Sequence, residues 1–420
     1  MSDVIKSLTA IEVLSGAGRP TVEVQLCTER GIKVSASVPS GTSKGKYEAC
    51  EVYDGGRRFG GKGVKKAVEN VNSIIAPEIV GKGLLPPRVM DRVLLELDGT
   101  SNKSHLGGNA VLAVSLAVAK AGAEAAGLPL YSYLGGVGAK SLPMPIATVI
   151  AGGKHSPSAL DFEDYILVFH GFTKFSDALE ALVEIRRKLG ETLEQKCGNV
   201  PDVGGALSPN LSGSDQAFEI MLEVVEKAGY AGKVGLGLDV AGSDLYLAET
   251  GLYRLAGKEM TVDEALEYYI NLAKKYPLVF LEDPFDQDDF TSFARLTAAL
   301  PQVQIVGDDL FVSNAERLKE GLQHKAANTL LLKVNQIGTV TEAVDAGLMA
   351  IHNNYDVTVS LRSSDTNDDF IADLAVGLGA KQIKLGSPVR GERNAKYNRL
   401  LKIEQELEKE ALFGGLRLHK

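Results

Sequence analysis

The chain has 420 residues, 45% of them hydrophobic and 24% charged, with a formal net charge of −9. These are ordinary globular proportions, and the length accommodates a barrel of about 250 residues plus a second domain. The acidic balance argues against nucleic acid or an anionic membrane as partner, so an anionic small molecule would need local cations or a metal.

Residues 5–52 alternate in strand fashion (AIEVL, PTVEVQLCT, GIKVSASV) with turn residues between, which predicts a three-stranded antiparallel meander. The loop VPSGTSKGKYE at 38–48 holds glycines, hydroxyls and lysines, a composition suited to a mobile loop that closes over an anion. Helical periodicity follows at 62–78 and 87–97. Residues 108–126, rich in alanine and small residues, read as a buried helix and not a membrane span, because Lys120 and Glu124 interrupt it. The segment GGVGAKSLPMP at 135–145 marks the expected boundary between a first domain, 1–137, and a second, 138–420. Cys27, Cys50 and Cys197 are far apart with no CxxC pair, the usage of a reducing compartment. Without a signal-peptide pattern, the expected location is cytoplasmic.

From Ile146 onward strand and helix patterns alternate. Three apolar runs end in charge: VFL in Glu282, IVG in Asp308 and LLL in Lys333, spaced 26 and then 25 residues apart, the length of one βα unit. VGLGLDV ends in Asp239 upstream; downstream, YDVTVSLRSS presents Arg362 and Ser363, and KQIKLGS presents Lys384. The longer gap after Asp239 holds LYLAETGLYRLAG, expected as a hairpin or extra turn, and a helical MTVDEALEYYINLAKKY. A helical, charged segment is expected at 397–412. A buried parallel strand is nearly all apolar, so a charge at each C-terminal end is how a (β/α)8 barrel builds an active site. Three carboxylates among hard oxygen donors suit Mg²⁺, and three cations suit an anionic substrate.

The motifs VPSGTSKGKYEA, LDGTSNKSHLGGNAVLAVSLAVAKAGA, FLEDPFDQDDF, QIVGDDL, LLLKVNQIGT and SPVRGERNAKYNRLLKIEQEL resemble, in order and over residues 8–407, the enolase (phosphopyruvate hydratase) family. The resemblance implies an α/β fold: an enolase-like modified TIM barrel capped by an N-terminal α+β domain. It implies a homodimer or higher homo-oligomer, and a lyase that uses two Mg²⁺ ions to turn 2-phosphoglycerate into phosphoenolpyruvate and water. By matching position, Asp239, Glu282 and Asp308 are the implied ligands of the first Mg²⁺, and Ser43 helps hold the second. Lys333 matches the base, Arg362 and Ser363 the phosphate-binding pair, Lys384 a substrate-binding cation and His155 the active-site loop histidine. Glu163 and Asp164 stand at the family's QE pair, so the second position keeps a carboxylate on a shorter arm. The chemistry is coherent: a proton α to a carboxylate is weakly acidic, a divalent metal stabilises the developing charge, and neighbouring cations should lower the pKa of Lys333.

The chain also departs from the family. Where the family reads GDEGGFAP it reads PDVGGALSP, so the glutamate with the general-acid role is Val203. The histidine before the phosphate-binding arginine is Leu361, and LDSRGNPT has become LSGAGRPT. Loss of general-acid help to a hydroxide typically costs about 10²–10⁴-fold. Three readings follow. The chain still dehydrates 2-phosphoglycerate, with water or Asp164 covering the missing acid. It forms the same enolate but expels a different β-leaving group, on the pattern of carboxyphosphonoenolpyruvate synthases. Or it is a non-catalytic binding protein with an enolase fold.

Overall fold

The computed structural model of the chain describes residues 3–42 and 44–415. Ser43 and the side chain of His155 therefore lie outside the described part of the structure. The N-terminal meander forms as expected from strands Ile5–Leu14, Pro20–Thr28 and Lys33–Ser37, all antiparallel. Its buried face carries Leu8, Ala10, Val22, Val24, Leu26 and Ala36.

That face packs on helix Gly108–Ala126. Alanine-rich sequence favours the helix, and Gly127 ends it in the left-handed conformation. A helix apolar on nearly every side belongs in an interior. This one is long and apolar enough to cross a membrane, yet it is enclosed between the meander and the barrel. From it, Ser115 Oγ accepts the Val340 N–H at 3.0 Å, and Lys120 pairs with Asp368 at 2.7 Å. The helical stretch foreseen at 62–78 is broken into Lys65–Asn70, a π turn Val71–Ile75 and Ala76–Ile79. Within the π turn, Asn72 accepts from the Ala10 N–H and donates to its carbonyl, which satisfies the outer edge of the meander. Helix Pro87–Asp98 forms where the periodicity placed it.

Eight strands close the barrel: Met144–Ala151, Asp164–Val168, Gly235–Asp239, Leu278–Glu282, Gln304–Gly307, Thr329–Leu332, Asp356–Ser360 and Gln382–Lys384, hereafter strands one to eight. Strand eight pairs with strand one and completes the ring. Fully buried Met144, Ile146, Ile166, Val168, Phe280, Val306 and Leu331 fill the interior. At the floor, Gln304, Asp356, Thr358 and Gln382 satisfy one another through hydrogen bonds of 2.7–3.1 Å.

The barrel departs from a uniform βα beat at strand two, which runs antiparallel to both neighbours. A reversed strand presents its first residue, not its last, at the mouth. Asp164 consequently lies opposite Asp239 in register. A short hairpin, Asp202–Val203 with Ala206–Leu207, adds to the edge of strand one. The region after Asp239 folds as a small three-stranded sheet, Tyr246–Leu247, Leu252–Leu255 and Lys258–Met260. Helix Val262–Lys275 follows, opened by a capping box between Thr261 and Glu264. The C-terminal helix is displaced from expectation: it spans Gly391–Leu407, and Glu408 leaves it at a φ of +47°.

Candidate active site at the barrel mouth

The mouth is a cavity of about 420 Å³ into which strand ends project Glu163, Asp164, Asp239, Asp308, Asp309, Lys333, Arg362, Ser363 and Lys384. Lys384, at the end of strand eight, reaches across the ring. Its Nζ lies 2.9 Å from Asp239, 2.6 Å from Glu282 and 3.5 Å from Asp164. Asp164 also accepts from Thr148 Oγ1 at 2.9 Å. Glu282 is fully buried, and its Oε1 has no hydrogen-bond donor among the described residues.

Lys333, immediately after strand six, is ion-paired with Asp308 at the end of strand five. Gln336 Nε2 holds the other oxygen of Asp308 at 2.7 Å. Ser313 Oγ accepts the Lys333 N–H at 2.8 Å and donates to Gln336 at 2.7 Å, so one polar chain fixes acid and amine together. Two residues past strand seven, Arg362 is gripped by Glu48 at 2.9 and 3.1 Å and by Asn335 at 3.1 Å. Next to it, Ser363 Oγ accepts the Thr42 N–H and donates to Thr42 Oγ1, each at 2.9 Å. The loop bearing Thr42 and Glu48 is latched to the barrel rim. Lys46 N–H donates to Gln287 at 2.9 Å, Tyr47 Oη donates to Asp288 at 2.8 Å, and the Arg317 guanidinium stacks 4.0 Å from the Tyr47 ring centre.

The geometry brings together the nine sequence-derived site residues that it describes. It also adds residues that the sequence did not single out. Asp283, at a φ of +42°, accepts the Asp308 and Asp309 amides at 3.0 and 2.7 Å, and so clamps the turn that aims Asp308. Oxygens of Asp283, Asp308 and Asp309 fall within 4.8 Å of one another. Both oxygens of Asp283 are already engaged by backbone, so its part is to support the turn. The doubled acids in LEDP and GDDL were the available signal.

Burial, with Asp239 and Asp164 nearby, holds the Glu163 carboxyl well above the ordinary range. Burial and Asp239 do the same to Glu282. Burial and Asp308 push Asp309 up to about 7. At Asp239 burial opposes ionisation, but Lys384 outweighs it and keeps the group below its usual value. The expected lowering of Lys333 is not found. Burial does press its pKa down, but the paired Asp308 overrides both burial and the repulsion from Arg362 and Lys384, so the net direction is upward. Crowded carboxylates, one with an orphaned oxygen, make an oxygen-rich site whose mutual repulsion a divalent cation would relieve, so the residues fit Mg²⁺.

The wall beside strand one is different. Val203, Gly204, Ala206 and Leu361 line it, and no carboxylate projects from position 203.

Comparison with known proteins agrees with this architecture. The family model described as enolase, C-terminal TIM barrel domain, matches residues 139–420, and that of the enolase N-terminal domain matches 5–134. The enolase of Methanopyrus kandleri is 52% identical over 417 residues, covering 98% of this chain and 97% of that protein. The enolase of Methanocaldococcus jannaschii is 51% identical, covering 96% of this chain and 95% of that one. The enolase of Pyrococcus furiosus is 49% identical, with 99% and 98% covered. With both domains matched and half of the residues identical over nearly its whole length, the chain belongs to the enolase family.

Proposed function

We propose that the protein is a Mg²⁺-dependent carbon–oxygen lyase. It removes the proton α to the carboxylate of a 2-phosphoglycerate-type substrate, and the family product is phosphoenolpyruvate. The observation that carries this reading is the placement of Lys333, paired with Asp308, within one cavity shared with Arg362, Ser363, Asp239 and Lys384, with Glu282 buried behind them on Lys384. Lys333 Nζ takes the C2 proton as the neutral amine, a form it would reach once a divalent cation engaged Asp308 in its place. Arg362 and Ser363 hold the phosphate, which must displace Glu48 and Thr42 from them. Asp239, Glu282 and Asp308 would hold Mg²⁺, which supplies charge stabilisation to the substrate carboxylate as the enolate forms. Two ions are proposed, with Ser43 serving the second and His155 on the covering loop. Lys384 orients the substrate from strand eight. The free thiols of Cys27, Cys50 and Cys197 accord with a cytoplasmic setting, and the exposed Ile11 and Leu14 with a homodimer or higher homo-oligomer.

A second reading concerns the β-carbon. Val203 offers no proton to a departing hydroxide, which favours a leaving group that departs as a stable anion. Solvent-deuterium exchange at C2 of 2-phosphoglycerate, run beside phosphoenolpyruvate absorbance, tests both readings. Exchange that needs Mg²⁺ and vanishes in Lys333→Ala supports enolate formation; a Mg²⁺-replete protein that exchanges no proton sinks it. Exchange with brisk product marks an ordinary hydratase, whereas exchange without product points to another leaving group.

A further inference from the structure

The acid-free wall hides a cation. Arg393, in the first turn of helix Gly391–Leu407, lines the cavity and is only 7% exposed. Its single hydrogen bond among the described residues runs from Nη1 to the Leu385 carbonyl at 3.3 Å. Its Nε is buried without a partner.

Among the described residues no carboxylate reaches Arg393 as an ion pair. The hairpin's one acid, Asp202, is held by Arg390 at 2.5 Å and lies 3.6 Å from Arg186. The neighbouring Glu392 turns away toward Gly16, where an added Cβ would fall 2.3 Å from its Cδ. Three glycines surround the guanidinium. A Cβ would lie 2.2 Å from Nη1 at Gly386, 3.1 Å from Nη2 at Gly204 and 3.5 Å from Nε at Gly205. A buried, uncompensated guanidinium is costly, and its planar fork of donors matches an oxyanion.

The geometry points to Arg393 as an anion subsite on the side of the cavity where Val203 replaces the acid, so that the substrate carries a phosphate-type oxyanion on its β-carbon in place of a hydroxyl. This rests on the enolate chemistry proposed above. Lys333, as the neutral amine, takes the C2 proton and becomes the ammonium, and the C2–H electron pair becomes the C2–C3 double bond. The C3–O bond breaks, and its pair leaves on the phosphate oxygen. Phosphate departs as a stable anion and needs no proton from position 203; Arg393 binds it before and after cleavage. Atoms and charge balance without a co-reactant.

The test uses 2,3-bisphosphoglycerate, which is 2-phosphoglycerate with its β-hydroxyl esterified, on the full chain with Mg²⁺. Elimination yields phosphoenolpyruvate and inorganic phosphate. The expected kcat/KM for phosphate release exceeds that for water loss from 2-phosphoglycerate by about 10-fold or more. Arg393→Gln lowers the bisphosphate value about 30-fold more than it lowers C2 exchange on 2-phosphoglycerate, and Arg393→Lys restores part of the difference. Val203→Glu, which leaves Arg393 in place but sets a carboxylate beside it, shifts preference toward water loss. Equal losses on both substrates in Arg393→Gln, or C2 exchange on 2-phosphoglycerate with no phosphate release from the bisphosphate, overturns the subsite and spares the enolate reading. Absence of exchange on either substrate overturns both.

Discussion

One wall of the barrel mouth, built from strands three to eight, is a lattice of matched charges. Lys333 faces Asp308, Lys384 spans Asp239 and Glu282, and Arg362 is held by Glu48. The other wall, formed by the hairpin Asp202–Leu207 and Leu361, is valine, glycine, alanine and leucine over an arginine that no described carboxylate pairs. The contrast separates two demands of elimination. Moving a proton from carbon requires several charges placed against one another, because the intermediate is more highly charged than the substrate. Releasing the leaving group requires only that it be stable where it lands, and a single cation meets that demand.

The largest effect expected from breaking the charged wall is in Lys333→Ala, which should reduce C2 exchange by about 10³-fold or more. Chelation of Mg²⁺ should produce a comparable loss that added Mg²⁺ reverses, read by the same exchange assay. Making the second wall resemble an acid-bearing one comes next: Val203→Glu should raise phosphoenolpyruvate formation from 2-phosphoglycerate by about 10²-fold. Loosening the latch between loop and rim is milder. Tyr47→Phe removes one exposed hydrogen bond to Asp288 and should raise KM about fivefold with kcat little changed, as steady-state kinetics would show.

The smallest effect lies away from the mouth and serves as its control. Asp91 is 1% exposed, accepts the Thr341 amide at 2.9 Å and leaves its Oδ1 without a partner, and burial raises its pKa. A carboxyl raised in the folded state costs stability as pH climbs through that raised value, whereas the amide of Asp91→Asn has no charge to bury. The variant should therefore gain up to about 1 kcal/mol in denaturant unfolding, most above the ordinary carboxylate range of about 4 and little below it.

What the sequence disclosed follows from the range of the interactions. Strand-end charges were legible because each interrupts a local apolar run at a repeat of one βα unit. Helix Gly108–Ala126 was legible because its composition and the flanking glycines mark both body and ends. Strand two was harder: DYILV reads the same whichever way the chain runs, and only pairing with both neighbours reveals its direction. The C-terminal helix begins earlier than expected because SPVRG has the proline and glycine of a loop, although its last residue already opens the helix. Glu48 escaped notice because its partner Arg362 is 314 residues away. Asp283 and Arg393 escaped for the same reason: neither motif shows that one acid clamps amides or that one arginine lacks a counter-ion. The direction of the Lys333 shift depended on Asp308 lying closer than any cation, a fact of distance and not of composition.

Closure of the ring also orders events in time. Strand eight, which seals the barrel against strand one, carries Lys384 as its final residue. During synthesis it is the last of the eight to emerge, so the acids of strands three and four wait for their ammonium until every other wall exists. A nascent chain whose strand eight has not yet paired thus lacks part of its substrate grip, and the same pairing that closes the ring finishes the pocket.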